Sequence, residues 1–378
     1  MSAATQAYKT TLEQICSQTI ANNAAKVDRD GTFPNESIQA LKTAGLLGAM
    51  SAPEVGGLGL GLSGASTIVR RVAEDCGSTA MVLCMHYCGT AVLEKHAVCE
   101  IRRAAATGVH LSTLAFSEAG SRSHFWVPAG TASSNGEGGA VVLNAAKSWV
   151  TLASHATAYV WSSRPLEAEG LSTLWLVPAG ATGISVQGPF DGLGLRGNDS
   201  SPVCANDVRV SRPAMLGGDG QGFDIMMNTV LPVFVVLSAS CSLGFMEAAI
   251  RTTTEHAART RHADTRASLA DLPVIRSYIA RMQLETDMAR TLLDDTIAAI
   301  GEQRTNVLLR ILECKAAADE AAAKVLDVAM RVCGGAAFRK EVGVERRFRD
   351  ARAACVMAPT TDVLYDFIGK YACGLPLF

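Results

Sequence analysis

The chain has 378 residues, 48% of them hydrophobic and 19% charged, which is too apolar for a disordered segment and long enough for two or three domains or one large layered one. Glycine and proline total 46 residues, an average share that excludes collagen-like and low-complexity sequence. Lys and Arg number 34 against 36 Asp and Glu, a net charge of −2, so no global field draws nucleic acid or an anionic membrane, and small-molecule chemistry is expected.

Met1 to Thr11 is small and polar with one lysine and lacks the apolar core of a signal peptide, so a cytoplasmic protein is expected. Residues 5–112 read mostly helical. Leu12, Ile15, Cys16 and Ile20 recur at helical spacing, and Asn35 is placed to cap a helix through Ile38 and Leu41 that stops at Gly45. The glycine-rich stretch Ser51 to Ser63 reads as a surface connection whose composition also permits close approach to a ligand. It carries neither a GxxxxGK phosphate loop nor a strand leading into GxGxxG. Cys84, His86 and Cys88 invite a metal reading, but on a helix the two cysteines share a face that the histidine leaves, and no second ligand pair follows. No metal is expected. The eleven cysteines, odd in number, without a CxxC pair and mostly inside apolar runs, read as reduced and buried.

From about Leu111 to Ser211 the period becomes strand-like, in runs such as Ala140 to Leu143, Tyr159 to Ser162 and Thr173 to Val177 between Gly, Pro, Asn and Ser clusters. Beyond Gly222 helical spacing returns. Ile225 to Met246 holds 22 residues without a charge, long enough to span a bilayer. It contains Asn228 and Pro232 and has no positive flank, so a helix buried on all sides is the preferred reading. Leu284, Met288 and Leu292 repeat at i+4. Val307, Leu308, Ile311 and Leu312 begin a stripe that runs to Val332 and breaks at Gly334 and Gly335. The basic stretch Arg339 to Arg352 is interrupted by Glu341, Glu345 and Asp350 and reads as a solvated or interfacial face. A last helix is predicted between Thr361 and Tyr371.

Three segment pairs carry a resemblance: LAFSEAGSRS (114–123) with NAAKSWVT (144–151), GLGLRGNDS (192–200) with Val208 to Val210, and Gly334 to Asp350 ending in ERRFRDAR (345–352). Together with LKTAGLLGAMSAPEVGGLGL (41–60) they resemble the acyl-CoA dehydrogenase superfamily, collinearly over essentially the whole chain. The resemblance implies a mainly α, α+β fold: an N-terminal helical domain (1–112), a middle β-barrel-like domain (113–212) and a C-terminal four-helix bundle (213–378). It also implies FAD as cofactor and a homotetramer or homodimer. Ala115, Phe116 and Ser117 would line the flavin ring, Trp149, Val150 and Thr151 would pack on it, and Ser123 would contact flavin phosphate or the thioester ligand. An aromatic wall with one hydroxyl is what shields and tunes a flavin. Thr360 and Asp362 follow in the same cofactor set.

The departures from the family bear on chemistry. Family dehydrogenases remove the α-proton of an acyl thioester with a glutamate after the RDAR motif, while the flavin takes the β-hydride. Here that position is Ala358, between Met357 and Pro359, and the catalytic residue is unknown. The other family site for the base, on the first bundle helix, holds Phe234 and Val235. The family's Arg-x-x-Phe-Gly clamp on a neighbouring subunit's FAD is replaced by Arg259-Thr260-Arg261-His262-Ala263-Asp264, and Arg331 stands where a glutamine precedes Gly334-Gly335. Arg259, Arg261 or Arg331 would then take the phosphate contact, or form ion pairs. Three readings follow. The first is an FAD-dependent oxidoreductase on an acyl thioester with oxygen-using, monooxygenase-like chemistry, served by a flavin reductase or electron-transfer partner. The second is ordinary α,β-dehydrogenation with a relocated base, the candidates being His124, Glu118 and Asp362. The third is a catalytically silent subunit completed by a partner chain.

Overall fold

The computed structural model describes residues 3–120, 124–134 and 139–377. Helix α1 (Ala3–Ile15) runs through a π turn at Cys16–Ile20 into α2 (Ala21–Asp30), and the predicted stripe Leu12, Cys16 and Ile20 is buried. In α3 (Asn35–Thr43) the cap differs from expectation. Asn35 is already helical, because the Pro34 carbonyl accepts the Ile38 N–H at 3.0 Å and Pro34 takes the cap position. The glycine-rich loop folds on itself: the Leu58 and Leu60 N–H groups donate to the carbonyls of Gly48 and Ala49, both at 2.9 Å. It lines neither cavity described below, and the surface-connection reading holds.

Three helices follow: α4 (Gly61–Asp75), α5 (Gly77–His96) and α6 (Cys99–Ala106). Cys84, His86 and Cys88 are all buried in α5. The Ser112 N–H donates to His86 Nδ1 at 3.2 Å, so Nε2 carries the proton that it donates to the Leu47 carbonyl at 3.1 Å. Both ring nitrogens are spent, and among the described residues no cluster of ligands suits a metal. All the cysteines are free; Cys99 and Cys373 are exposed, against the expectation of burial, while Cys16, Cys84 and Cys241 sit in the core.

Burial pushes the imidazoles of His86 and His110 down to about 4. The unfolded chain takes up their protons near 6.5 and the native chain does not, so stability is complete above about 6.5 and falls as pH drops toward 4. Asp350, raised by burial to about 6, works the other way between about 6 and 3.8. The two histidines outnumber it. Chemical denaturation from pH 7 to 4.5 should therefore show falling stability, and His110→Gln should flatten the slope by roughly 1.4 kcal/mol per pH unit. An unchanged slope in that variant would contradict neutral burial of His110.

The middle of the chain forms two four-stranded sheets. One has the order β1-β4-β5-β8, from β1 (Ser112–Ala115), β4 (Ala158–Ser163), β5 (Thr173–Pro178) and β8 (Met215–Leu216). The other has the order β2-β3-β7-β6, from β2 (Thr131–Ser134), β3 (Ala140–Val150), β7 (Ser201–Ser211) and β6 (Ile184–Val186). Among the strands of the described residues, β1 and β4 pair in parallel and the others antiparallel. A bridge between Glu118 and Lys147 ties the segment after β1 to β3.

The chain then enters a short helix, α7 (Gly222–Ile225), and a π turn that leads into α8 (Leu231–Arg259). Its most apolar window is 89% buried, as the buried-helix reading expects. The burial has a cause in the sequence. Ser240 and Gly244, one turn apart, keep the face toward α4 small: Ser66 and Ser240 hydroxyls bond at 2.8 Å, and a Cβ at Gly244 would lie 2.3 Å from the Arg70 carbonyl. Helix α4 thus packs directly on α8. Helices α9 (Pro273–Gly301), α10 (Val307–Cys333) and α11 (Val344–Val356) complete the bundle, with α12 (Thr361–Ala372) last, as predicted. The helix predicted from Leu284, Met288 and Leu292 forms as α9, with Leu284 and Met288 62% and 59% exposed and Met282, Thr286, Ala289 and Leu293 facing inward. Helical period alone does not say which of two apolar faces meets the core.

Candidate active site

A cavity of about 850 Å³ opens between the β module and the bundle, within the range of small-molecule sites. Met81 and Met85 of α5, Leu114, Phe116 and Ser117 at the end of β1, Trp149 and Thr151 at the end of β3, and Phe234 of α8 line it. The loop around Leu193 to Ser200 and the cavity face of α11, from Arg349 through Arg352 and Val356 to Met357 and Ala358, close it. Strand alternation selects among the expected flavin contacts. Phe116, Ser117, Trp149 and Thr151 face the cavity, whereas Ala115 and Val150 are fully buried and turn into the core. The side chains of those two residues are removed from the contact set.

The wall is mostly apolar with one polar patch. Thr151 Oγ1 and Ser200 Oγ lie 2.9 Å apart, and Thr113 Oγ1 donates to the Thr151 carbonyl at 2.8 Å. Beside them Asn198 is 3% exposed and its Oδ1 has no partner, a cost of about 1–3 kcal/mol unless a ligand meets it. Leu152, Leu195 and Asp199 all hold φ 51° around this patch, strain of roughly 1–2 kcal/mol each for residues with a side chain. Bonds from Leu152 N–H to the Asn198 carbonyl at 2.9 Å and from Leu195 N–H to Asp350 Oδ1 at 2.6 Å hold it. Gly194 is required where the loop meets α11, since a Cβ there would lie 2.4 Å from the Arg349 carbonyl.

Among the described residues one carboxylate lines the cavity, Glu118, and it is spent. Lys147 Nζ donates to Glu118 Oε1 at 2.6 Å, to the Ser162 carbonyl at 2.8 Å and to Ser162 Oγ at 2.9 Å. Gly130 N–H donates to Glu118 Oε2 at 3.0 Å. Desolvation lowers the Lys147 ammonium to about 8, with Glu118 holding it up. Glu118 joins the β1 end to β3 and is not a relocated base. Lys147 was not singled out from sequence, although the NxxKxWxT pattern contains it. Ala358 does line the cavity, as does Phe234.

His124 and Asp362 come together elsewhere, in a second cavity of about 560 Å³ with Trp126, Phe367 and Lys370. Rings of His124 and Trp126 lie 5.0 Å apart. His124 therefore does not reach the first cavity, and neither does Asp362, which removes both as bases there. Thr360 precedes α12, its carbonyl accepting the Leu364 N–H at 3.0 Å. Arg259, Arg261, Arg331, Gly334 and Gly335 line neither cavity of the single chain. Arg259 stands 3.8 Å from Glu255, Arg261 donates to the Arg266 carbonyl at 3.0 Å, and Arg331 lies over the Tyr278 ring. Ser123 lies outside the described residues.

A helical–β–helical chain with an aromatic, hydroxyl-bearing cavity between β module and bundle has the build of a flavoprotein oxidoreductase. Family profiles described as acyl-CoA dehydrogenase N-terminal, middle and C-terminal domains match residues 2–108, 113–208 and 220–372. This chain belongs to the acyl-CoA dehydrogenase family, whose members depend on FAD. It is 30% identical to human mitochondrial short-chain specific acyl-CoA dehydrogenase, over 90% of this chain and 83% of that protein. To cyclohex-1-ene-1-carbonyl-CoA dehydrogenase of Syntrophus aciditrophicus it is 25% identical over 93% and 85% of the two chains. Butyryl-CoA dehydrogenase from Megasphaera elsdenii has the same fold, with TM-score 0.91, 20% identity and 99% of both chains covered. The orphaned Asn198 amide, the Thr151–Ser200 hydroxyls and the exposed Trp149 ring suit a flat, polar-edged aromatic group, so the residues present fit FAD.

Proposed function

We propose that this chain is a cytoplasmic FAD-dependent oxidoreductase that acts on an acyl thioester by oxygen-using, monooxygenase-like chemistry. One observation carries the reading: the cavity wall presents Ala358 and Phe234 where a proton-abstracting carboxylate would stand, and the one carboxylate that lines it among the described residues, Glu118, is locked by Lys147. Bound FAD would supply two-electron redox chemistry and, once reduced, reactivity toward oxygen. Trp149 and Thr151 would hold it from the β side, and Asn198 would meet its polar edge. Phe116, Phe234, Met81 and Met85 exclude water from the reacting centre, which protects a reactive oxygen species from hydrolytic loss. One atom of molecular oxygen would enter the substrate and the other leave as water, with two electrons from a flavin reductase or electron-transfer partner and two protons from solvent. In a homotetramer, Arg259, Arg261, Arg331, Gly334 and Gly335 would serve a neighbouring chain's cofactor, while Thr360, two residues beyond Ala358 of the cavity wall, would serve its own.

Turnover under ¹⁸O-labelled oxygen tests the reading. Stoichiometric label in the product is expected. Label arriving only from water would sink it.

A further inference from the structure

Among the described residues the cavity's charges are compensated with one exception. Glu118 is matched by Lys147 at 2.6 Å, and Arg349 is matched by Asp28 and Glu345, each at 2.7 Å. Arg352, one turn along α11 from Arg349, also lines the cavity, is exposed, and has no carboxylate within salt-bridge distance among the described residues. Its guanidinium is instead laid over the Phe348 ring at 4.6 Å. A guanidinium held against a ring face keeps its N–H donors for a further partner, and its planar fork suits bidentate recognition of a planar or tetrahedral oxyanion.

The surroundings show what such an anion is attached to. Leu193 and Val356 line the same cavity and are 68% and 73% exposed, an apolar rim that a ligand would cover. Val356 is four residues beyond Arg352, so charge and rim lie about 6 Å apart along the helix. A ligand matching both has an apolar stretch and an anionic group roughly one helical turn from it. We infer that Arg352 is a specificity-determining residue that binds an oxyanion of the substrate, a phosphate of the carrier arm or a carboxylate on the acyl group, at the mouth of the cavity. The inference rests on the thioester reading above.

The test is titration of FAD-loaded protein at low ionic strength, following the flavin spectrum, with three thioesters. Butyryl-CoA carries phosphates, butyryl-pantetheine carries no anion, and glutaryl-pantetheine carries only a carboxylate. In the wild type at least one anionic ester should bind about tenfold or more tightly than butyryl-pantetheine. Arg352→Gln should abolish that preference and leave butyryl-pantetheine unchanged, and Arg352→Lys should restore part of it. Loss confined to butyryl-CoA assigns the phosphate, and loss confined to glutaryl-pantetheine assigns the carboxylate. Equal binding by wild type and Arg352→Gln, with flavin content retained, overturns the role of Arg352 alone. A wild type whose flavin responds to none of the esters overturns the thioester reading and this inference together.

Discussion

Ala358→Glu is expected to convert the protein into one whose flavin is bleached by an acyl thioester alone in the absence of oxygen. Ala358 lines the cavity beside Met357 and across from Phe234, and the resemblance to the family places the proton-abstracting carboxylate at this position. A positioned general base contributes about 10²–10⁴-fold, so the variant should reduce its flavin at least a hundredfold faster than the wild type. The apolar neighbours disfavour the ionised form and raise the new carboxyl above its ordinary range. The rate should therefore climb with pH as the carboxylate forms, with a midpoint above about 4.3. A folded, FAD-loaded variant that stays yellow with a panel of acyl-CoAs would show that the substrate's α-carbon no longer meets this wall.

The second large effect is structural. Lys315 and Asp319, one turn apart on α10, are wholly buried and paired at 2.7 Å, and the Ser242 hydroxyl donates to the other carboxylate oxygen at 3.2 Å. Lys315 Nζ also donates to the carbonyls of Ala354 at 3.0 Å and Met357 at 3.3 Å. These are carbonyls at the C-terminal end of α11, which no further helical turn satisfies. The ammonium thus fixes the segment that brings Val356, Met357 and Ala358 to the cavity. Lys315→Met should cost about 3–5 kcal/mol, since it strands a buried carboxylate and two carbonyls together. Burial already pushes the Asp319 carboxyl up while Lys315 holds it down, so part of the loss is relieved when Asp319 takes a proton. For that reason the double variant Lys315→Met with Asp319→Leu should be more stable than Lys315→Met alone. Thermal or urea unfolding of the three proteins decides it, and a single variant within about 1 kcal/mol of wild type would contradict the capping role.

Much of this was legible before the structure. The change from helical to strand period near residue 112 and back near residue 222 outlined the architecture, and the motifs around Ser117 and Trp149 led to the cavity. What stayed hidden was relational. Alternation decides that Phe116 and Thr151 face the ligand while Ala115 and Val150 do not, and a motif read as a block conceals that choice. Glu118 and Lys147 stand in two quoted motifs 29 positions apart, and only the bridge between β1 and β3 makes them one ion pair. His124 is a candidate base in the sequence because it stands where the family usually has aspartate, yet it packs against Trp126 in a different cavity. Asn198 and Arg352 carry no sequence signal as ligand contacts. Their roles come from an absence of partners, visible only when every neighbour has a position.

Anaerobic titration of the FAD-loaded wild type with acyl-CoAs tests most directly whether the cavity lacks a functioning base. Its flavin should stay oxidised with every thioester, bleach normally with a chemical reductant and reoxidise rapidly on admission of air. Bleaching by a thioester alone would mean that some group in the chain removes the α-proton, and the base-free, oxygen-using reading would give way to dehydrogenation.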